Sequence, residues 1–162
     1  MDVIIMQKQS LPSIEQVRLD FPDFKFAESK VFYWSAKDQT IYFNKKLLVK
    51  YDGFMKLIHE IGHALCGHKN YTSSIELITL EAEAWQKARL IAKDYSLEIK
   101  DELIEQCLDS YRNWLHIRST CPTCKNVSFE TDESIFKCFN CHQTWKVPYN
   151  QQTRHYRLKL TS

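Results

Sequence analysis

Four cysteines confine the end of this chain to very few folds. Cys121-Pro122-Thr123-Cys124 and Cys138-Phe139-Asn140-Cys141 are two C-x-x-C pairs with thirteen residues between them. Each C-x-x-C turn presents two thiolates to one point, and the intervening segment is long enough for a β-hairpin to return the second pair to the first. Four thiolates complete a tetrahedral shell with no open position, so Cys121, Cys124, Cys138 and Cys141 are expected to hold a structural zinc ion. The residues around them are too few to close a core unaided, and the metal is expected to supply much of the folding free energy. Two unrelated disulfides, or free thiols, are the weaker reading.

A second motif lies upstream. His59-Glu60-Ile61-Gly62-His63 matches H-E-x-x-H. Its chemistry depends on a helix: residues four apart share one face, about 6 Å apart along the axis, so two imidazoles from successive turns can share one ion. Glu60 follows the first histidine and is placed to act as a general base on water. Phe54, Leu57, Ile58, Ile61, Ala64 and Leu65 recur on one face, which predicts a helix over 54–66 after Gly53.

A catalytic zinc takes a third protein ligand and keeps its fourth position open. The arrangement H-E-x-x-H-x-x-G-x-x-H would need glycine and histidine where the chain has Cys66 and Lys69. His68 falls beyond the end of that helix and suits a supporting or structural role better. A further helix is predicted over 74–95, and at about 100° per residue Leu77, Ile78, Ala84, Trp85, Ala88, Ala92 and Tyr95 gather around Glu81. A carboxylate in the middle of an apolar face is costly unless paired or bound to metal. Glu81 is therefore the expected third ligand. Glu83 points away, towards Gln86, Lys93 and Asp94, and is the alternative. A buried salt bridge is the competing explanation of Glu81.

The remaining chain reads as α+β. A short helix is expected over 13–21, ended by Pro22. A β-hairpin is expected from 31–35 and 40–44, joined by Ala36–Lys37–Asp38–Gln39 without the usual turn glycine. A helix over 100–117 begins with Asp101 and Glu102, favoured there by the helix dipole. Composition changes at Thr120, which puts the domain boundary near Arg118: residues 1–118 form one domain and 119–162 the other. The apolar run 3–6 is too short for a signal peptide, and no stretch is long and apolar enough for a membrane helix. A cytoplasmic location without membrane contact is expected. The isolated Cys66 and Cys107 are expected to be small buried residues.

The hairpin, the HEIGHALCGH stretch and the helix bearing EAEAW together resemble the ImmA/IrrE-type metallopeptidases, gluzincin-like members of the zincins, over about residues 30–95. The resemblance implies a zincin-like core of a small sheet, an active-site helix and a glutamate helix, with Glu81 or Glu83 as the third ligand in the E-x-E-A segment. It implies a zinc endopeptidase acting on an intracellular protein, in regulation or quality control. Trp85 stands where that family commonly has Asn. A second resemblance, to SprT-like proteases, rests on H-E-x-x-H followed by a zinc ribbon and implies action on DNA-bound proteins. Two zinc ions are expected in all, one catalytic and one structural. Tyr71, Tyr95, Tyr111 and His116 are candidates for stabilising an oxyanion. The hairpin offers an edge to an extended peptide.

The segment 112–162 carries 8 Lys+Arg against 3 Asp+Glu, with Phe129, Phe136, Phe139, Trp145, Tyr149 and Tyr156 interleaved. That mixture suits single-stranded nucleic acid. The plainer alternative is that the aromatics pack the ribbon and the charges solvate it. A non-catalytic module binding protein or nucleic acid through the ribbon is the competing function. It gives no reason for Glu60 to stand beside both histidines.

Overall fold

The computed structural model describes residues 10–150 and 154–160. The apolar run 3–6 lies outside them. The architecture is α+β with two sheets. Helix α1 (Ile14–Asp20) is followed by β1 (Lys25–Glu28), β2 (Tyr33–Ser35) and β3 (Thr40–Phe43). Three longer helices come next: α2 (Tyr51–Leu65), α3 (Ser74–Asp94) and α4 (Asp101–Ser119). The chain ends in β4 (Phe129–Asp132), β5 (Ile135–Lys137), β6 (Thr144–Lys146) and β7 (Leu158–Leu160). None of the described helices is long and apolar enough to cross a membrane.

The chain divides into two compact units. One holds the described residues of Met1–Lys69 with Glu83–Asp101, and the other Asn70–Ala82 with Glu102–Ser162. The division passes through α3, and α4 groups with the cysteine-bearing segment.

In the first unit, Ser13 caps α1 by accepting the Gln16 N–H at 3.2 Å. The β2–β3 hairpin forms with Trp34 opposite Ile41. Its turn manages without glycine because Gln39 takes the left-handed conformation (φ 50°). Side chains brace it: Ser35 Oγ donates to Asp38 Oδ2 at 2.9 Å, and Gln39 Nε2 to the Ala36 carbonyl at 2.8 Å. Strand β1 pairs in parallel with β3, giving the order β1-β3-β2. Central β3 buries Ile41 and Phe43.

Helix α2 buries Phe54, Leu57, Ile58 and Ile61 together with both motif histidines. Ala84, Trp85, Ala88 and Ala92 are the buried stripe of α3. Gly62 allows the closest approach: a Cβ there would lie 2.5 Å from the Ala84 carbonyl oxygen. Gly67, at φ +67°, ends α2 in a left-handed cap. Its N–H reaches the Ala64 carbonyl at 3.0 Å and the His68 N–H reaches the His63 carbonyl at 3.1 Å, the two bonds of a Schellman motif. Cys66 is exposed and Cys107 half-buried, so neither fills a core as expected. Cys66 is the C-cap residue of α2, where the chain leaves the apolar face.

In the second unit, the four-stranded sheet runs β4-β5-β6-β7. Phe136, Trp145 and Val147 form a buried cluster with Cys121 and Cys138, so the sulfurs are part of the core. Beside it sits Arg118, 3% exposed, with its guanidinium 3.9 Å from the Trp114 ring centroid. Its Nη1 donates to the Pro148 carbonyl at 2.9 Å, and its Nη2 lies 3.7 Å from Glu130 Oε1. Burial pushes the Arg118 pKa down, opposed by Glu130. Glu130 also accepts the Ser134 N–H at 2.9 Å and, with its other oxygen, the Ser74 N–H at 2.8 Å at the start of α3.

Gly62→Ala should destabilise the protein, because the added methyl meets backbone that cannot rotate away. Overpacking of this kind costs about 1–3 kcal/mol. Thermal unfolding followed by circular dichroism should show the midpoint lowered by several degrees, at about 2–4 °C per kcal/mol for a chain of this size.

Candidate metal centres

Helices α2 and α3 bring His59, His63 and Glu81 together. One ligand atom from each lies within 4.8 Å of the others. All three are nearly buried, at 6%, 9% and 6% exposure. Nε2 of His59 and Nε2 of His63 face each other at 3.1 Å, with their rings nearly perpendicular. Two imidazole lone pairs cannot face each other at that distance without a proton or a cation between them. The Glu81 carboxylate supplies negative charge at the same point, which suits a metal cation.

His63 is held from behind. Its Nδ1 lies 2.8 Å from Nδ1 of His68, and Nε2 of His68 lies 3.1 Å from Glu83 Oε2. With a cation between the two Nε2 atoms, the His63 Nδ1–H would donate to His68 Nδ1, and the His68 Nε2–H to the Glu83 carboxylate. The Schellman turn creates this relay, because it folds residue 68 back over residue 63. The Trp34 Nε1–H, from β2, fastens the turn by donating to the His68 carbonyl at 2.9 Å.

Glu83 is about half exposed, as its place on the polar side of α3 implies, and its carboxylate is committed to His68. Glu81 is the α3 carboxylate grouped with the histidine pair. Trp85, placed by periodicity among the core residues, also has a role at this site. Its ring stacks on His59 with centroids 4.2 Å apart and planes 24° apart, which fixes the orientation of that imidazole. Spacing could have suggested the contact, since Trp85 stands one turn after Glu81 on the same face. Glu60 is half-buried and follows His59 on α2.

Two candidate tyrosine hydroxyls have partners elsewhere. Tyr95 donates to Asp20 Oδ2 at 2.6 Å, and burial with this bond raises its pKa. Tyr71 donates to the Tyr149 carbonyl at 3.0 Å and stacks on that ring, and burial pushes it up to about 12.

The four cysteines form the other centre. Sγ of Cys121 lies 3.5 Å from that of Cys141, and Sγ of Cys124 lies 3.4 Å from that of Cys138. All four group as metal-ligand atoms. The two C-x-x-C turns are built alike. The residue after each, Lys125 and His142, has positive φ (67° and 58°) and returns its N–H to the first cysteine's carbonyl at 3.1 and 3.0 Å. Backbone N–H groups, that of Cys141 first, bring the Cys138 thiol down to about 6. Although the Gln143 N–H favours its thiolate, burial and the neighbouring sulfurs push Cys141 up to about 12. Four thiolates this close need a dication to coexist.

Replacing His68 by Phe, which keeps bulk but breaks the relay, should weaken metal binding at the histidine–glutamate centre by about 10–100-fold. Competition against a chromophoric chelator measures this, and the thiolate centre should be unchanged. Cys138→Ser should give the converse result, lowering metal content from two ions per chain to one.

Comparison with protein-family models, with characterised proteins and with solved structures found no match for this chain.

Proposed function

We propose that this chain is a zinc-dependent endopeptidase of the zincin type, cleaving a protein inside the cell, with His59, His63 and Glu81 holding the catalytic zinc. The observation that carries the reading is the facing Nε2 pair of His59 and His63, 3.1 Å apart, with the Glu81 carboxylate converging on it and Glu60 next in sequence. Tetrahedral zinc at usual bond lengths separates two nitrogens by about 3.3 Å and two sulfurs by about 3.8 Å. The distances here, 3.1 Å for nitrogen and 3.4–3.5 Å for sulfur, are close to both. Three protein donors leave a tetrahedral ion one open place, as hydrolysis requires, whereas four thiolates leave none. The cysteine centre is accordingly read as structural zinc.

When bound, zinc supplies Lewis acidity, polarising a carbonyl and making water more acidic. The other steps belong to the chain. Glu60 takes a proton from the attacking water and passes it to the nitrogen of the leaving amine. Glu81 offsets positive charge in a buried place. Trp85 and the His68–Glu83 relay keep both imidazoles in position, so no reorganisation is needed during the reaction. Strand β2 is an edge of its sheet, which suits an extended peptide substrate. The resemblance of HEIGHALCGH and EAEAW to ImmA/IrrE-type metallopeptidases points the same way.

Glu60→Gln should retain metal at both centres and lose cleavage by about 10²–10⁴-fold. The measurement is proteolysis of a host-protein mixture by the zinc-loaded parent and variant, read as new peptide termini. Equal cleavage by the two proteins would remove Glu60 from the reaction.

A further inference from the structure

Strand register sorts the side chains of the second unit's sheet onto two faces, because partners across a ladder share a face and neighbours along a strand alternate. Phe136 and its partner Trp145 point inward and are buried. The opposite face carries Phe129, Lys137, Thr144 and Leu160 in one row and Asp132, Ile135, Lys146 and Leu158 in the next. Phe139, from the second C-x-x-C turn, sets its ring edge-on to Phe129 with centroids 5.6 Å apart. Both rings are 67% exposed. The core beneath is already filled by Phe136, Trp145 and the sulfurs, so this pair has no packing role there.

We propose that this face binds single-stranded nucleic acid, with unpaired bases stacking on Phe129 and Phe139 and phosphates meeting Lys137 and Lys146. The mixture of side chains decides between partners. The cores of protein interfaces are enriched in aromatics but depleted of lysine. Here Lys137 is the direct cross-strand partner of Phe129, and Lys146 stands between Ile135 and Leu158. Aromatic rings interleaved with lysines are the pattern that holds single strands. Charge agrees: residues 119–162 carry six Lys+Arg against three Asp+Glu; Glu130 is turned toward Arg118 on the inner side, and in the two outer rows Lys137 and Lys146 outnumber the single carboxylate, Asp132. A base must leave its stack to lie on a phenyl ring, which favours a single strand over a duplex. Stacking is open to every base, so binding is tolerant of sequence and of DNA or RNA. This inference rests on the ribbon alone and is independent of the hydrolase reading.

The test uses the full zinc-loaded chain and fluorescence anisotropy with labelled oligothymidylate and oligouridylate of about 15 nucleotides, within the usual range of single-strand site sizes. Expected are saturable binding of both and weakening with added salt. Phe129→Ala and Phe139→Ala should each weaken binding by about tenfold, while Phe129→Trp retains it. Lys137→Gln should reduce the salt slope by about 0.7. Zinc content of each variant shows that the ribbon is intact; should an alanine variant lose zinc, Phe129→Trp and Lys137→Gln decide. The proposal is overturned if the parent binds neither oligonucleotide. It is also overturned if duplex of the same length binds as tightly, or if folded alanine variants or the salt slope of Lys137→Gln match the parent. Failure to bind would assign the face to a protein partner.

Discussion

The close approach of α2 to α3 at Gly62 governs the histidine–glutamate centre. Ordinary helix pairs lie about 8–10 Å apart, a distance set by the side chains at the contact. Here glycine meets the backbone at Ala84, and the nearby stripe of α3 is largely alanine. Short side chains on both helices let a ligand from α3 reach a point that two imidazoles from α2 already address. The motif supplies donors, and the missing Cβ inside it supplies proximity. The short distance between the helices and the convergence of the ligand atoms are therefore one problem, solved by the same residue.

The polar groups of this centre form a chain that tolerates no gap. Glu81, His59, His63 and His68 are all nearly buried, and desolvating them is worthwhile only if each meets a partner. The half-exposed Glu83 ends the chain in water, where an ionised carboxylate costs little. A different economy operates in the ribbon. There the sulfurs are themselves apolar enough to line the core with Phe136 and Trp145, so a metal bound by them would be coupled directly to packing.

Much of this was legible in the residues. Long helices declared themselves through periodicity: α2, α3 and α4 were expected over 54–66, 74–95 and 100–117, and they form at Tyr51–Leu65, Ser74–Asp94 and Asp101–Ser119. The hairpin was readable from its β-branched and aromatic runs despite a turn whose left-handed residue is Gln39. Strand β1 was not. Its four residues, Lys-Phe-Ala-Glu, carry no pattern of their own, and its parallel pairing with β3 is a long-range choice. In the site, Glu81 stood out because a lone acid on an apolar face is expensive. Glu83 looked idle because helical angle describes where a side chain leaves the helix, and a turn from elsewhere brought His68 to it. The signal was present in Gly67: a glycine after a helix end predicts a reversal that lays the following residue over the last turn. The stacking of Trp85 on His59 needed both helices to be placed first.

Glu130 gives the ribbon a hold on a helix it does not contain. Its carboxylate receives the first N–H of α3 at Ser74, an anion placed at the positive end of the helix that bears Glu81. A fragment cut at residue 118 would keep every residue of the H-E-x-x-H motif and the Ser73 Oγ cap on the Glu76 N–H, but the Ser74 N–H would lose its carboxylate partner. The start of α3 thus belongs with the cysteine-bearing segment, and removing that segment would strip an electrostatic anchor from the helix.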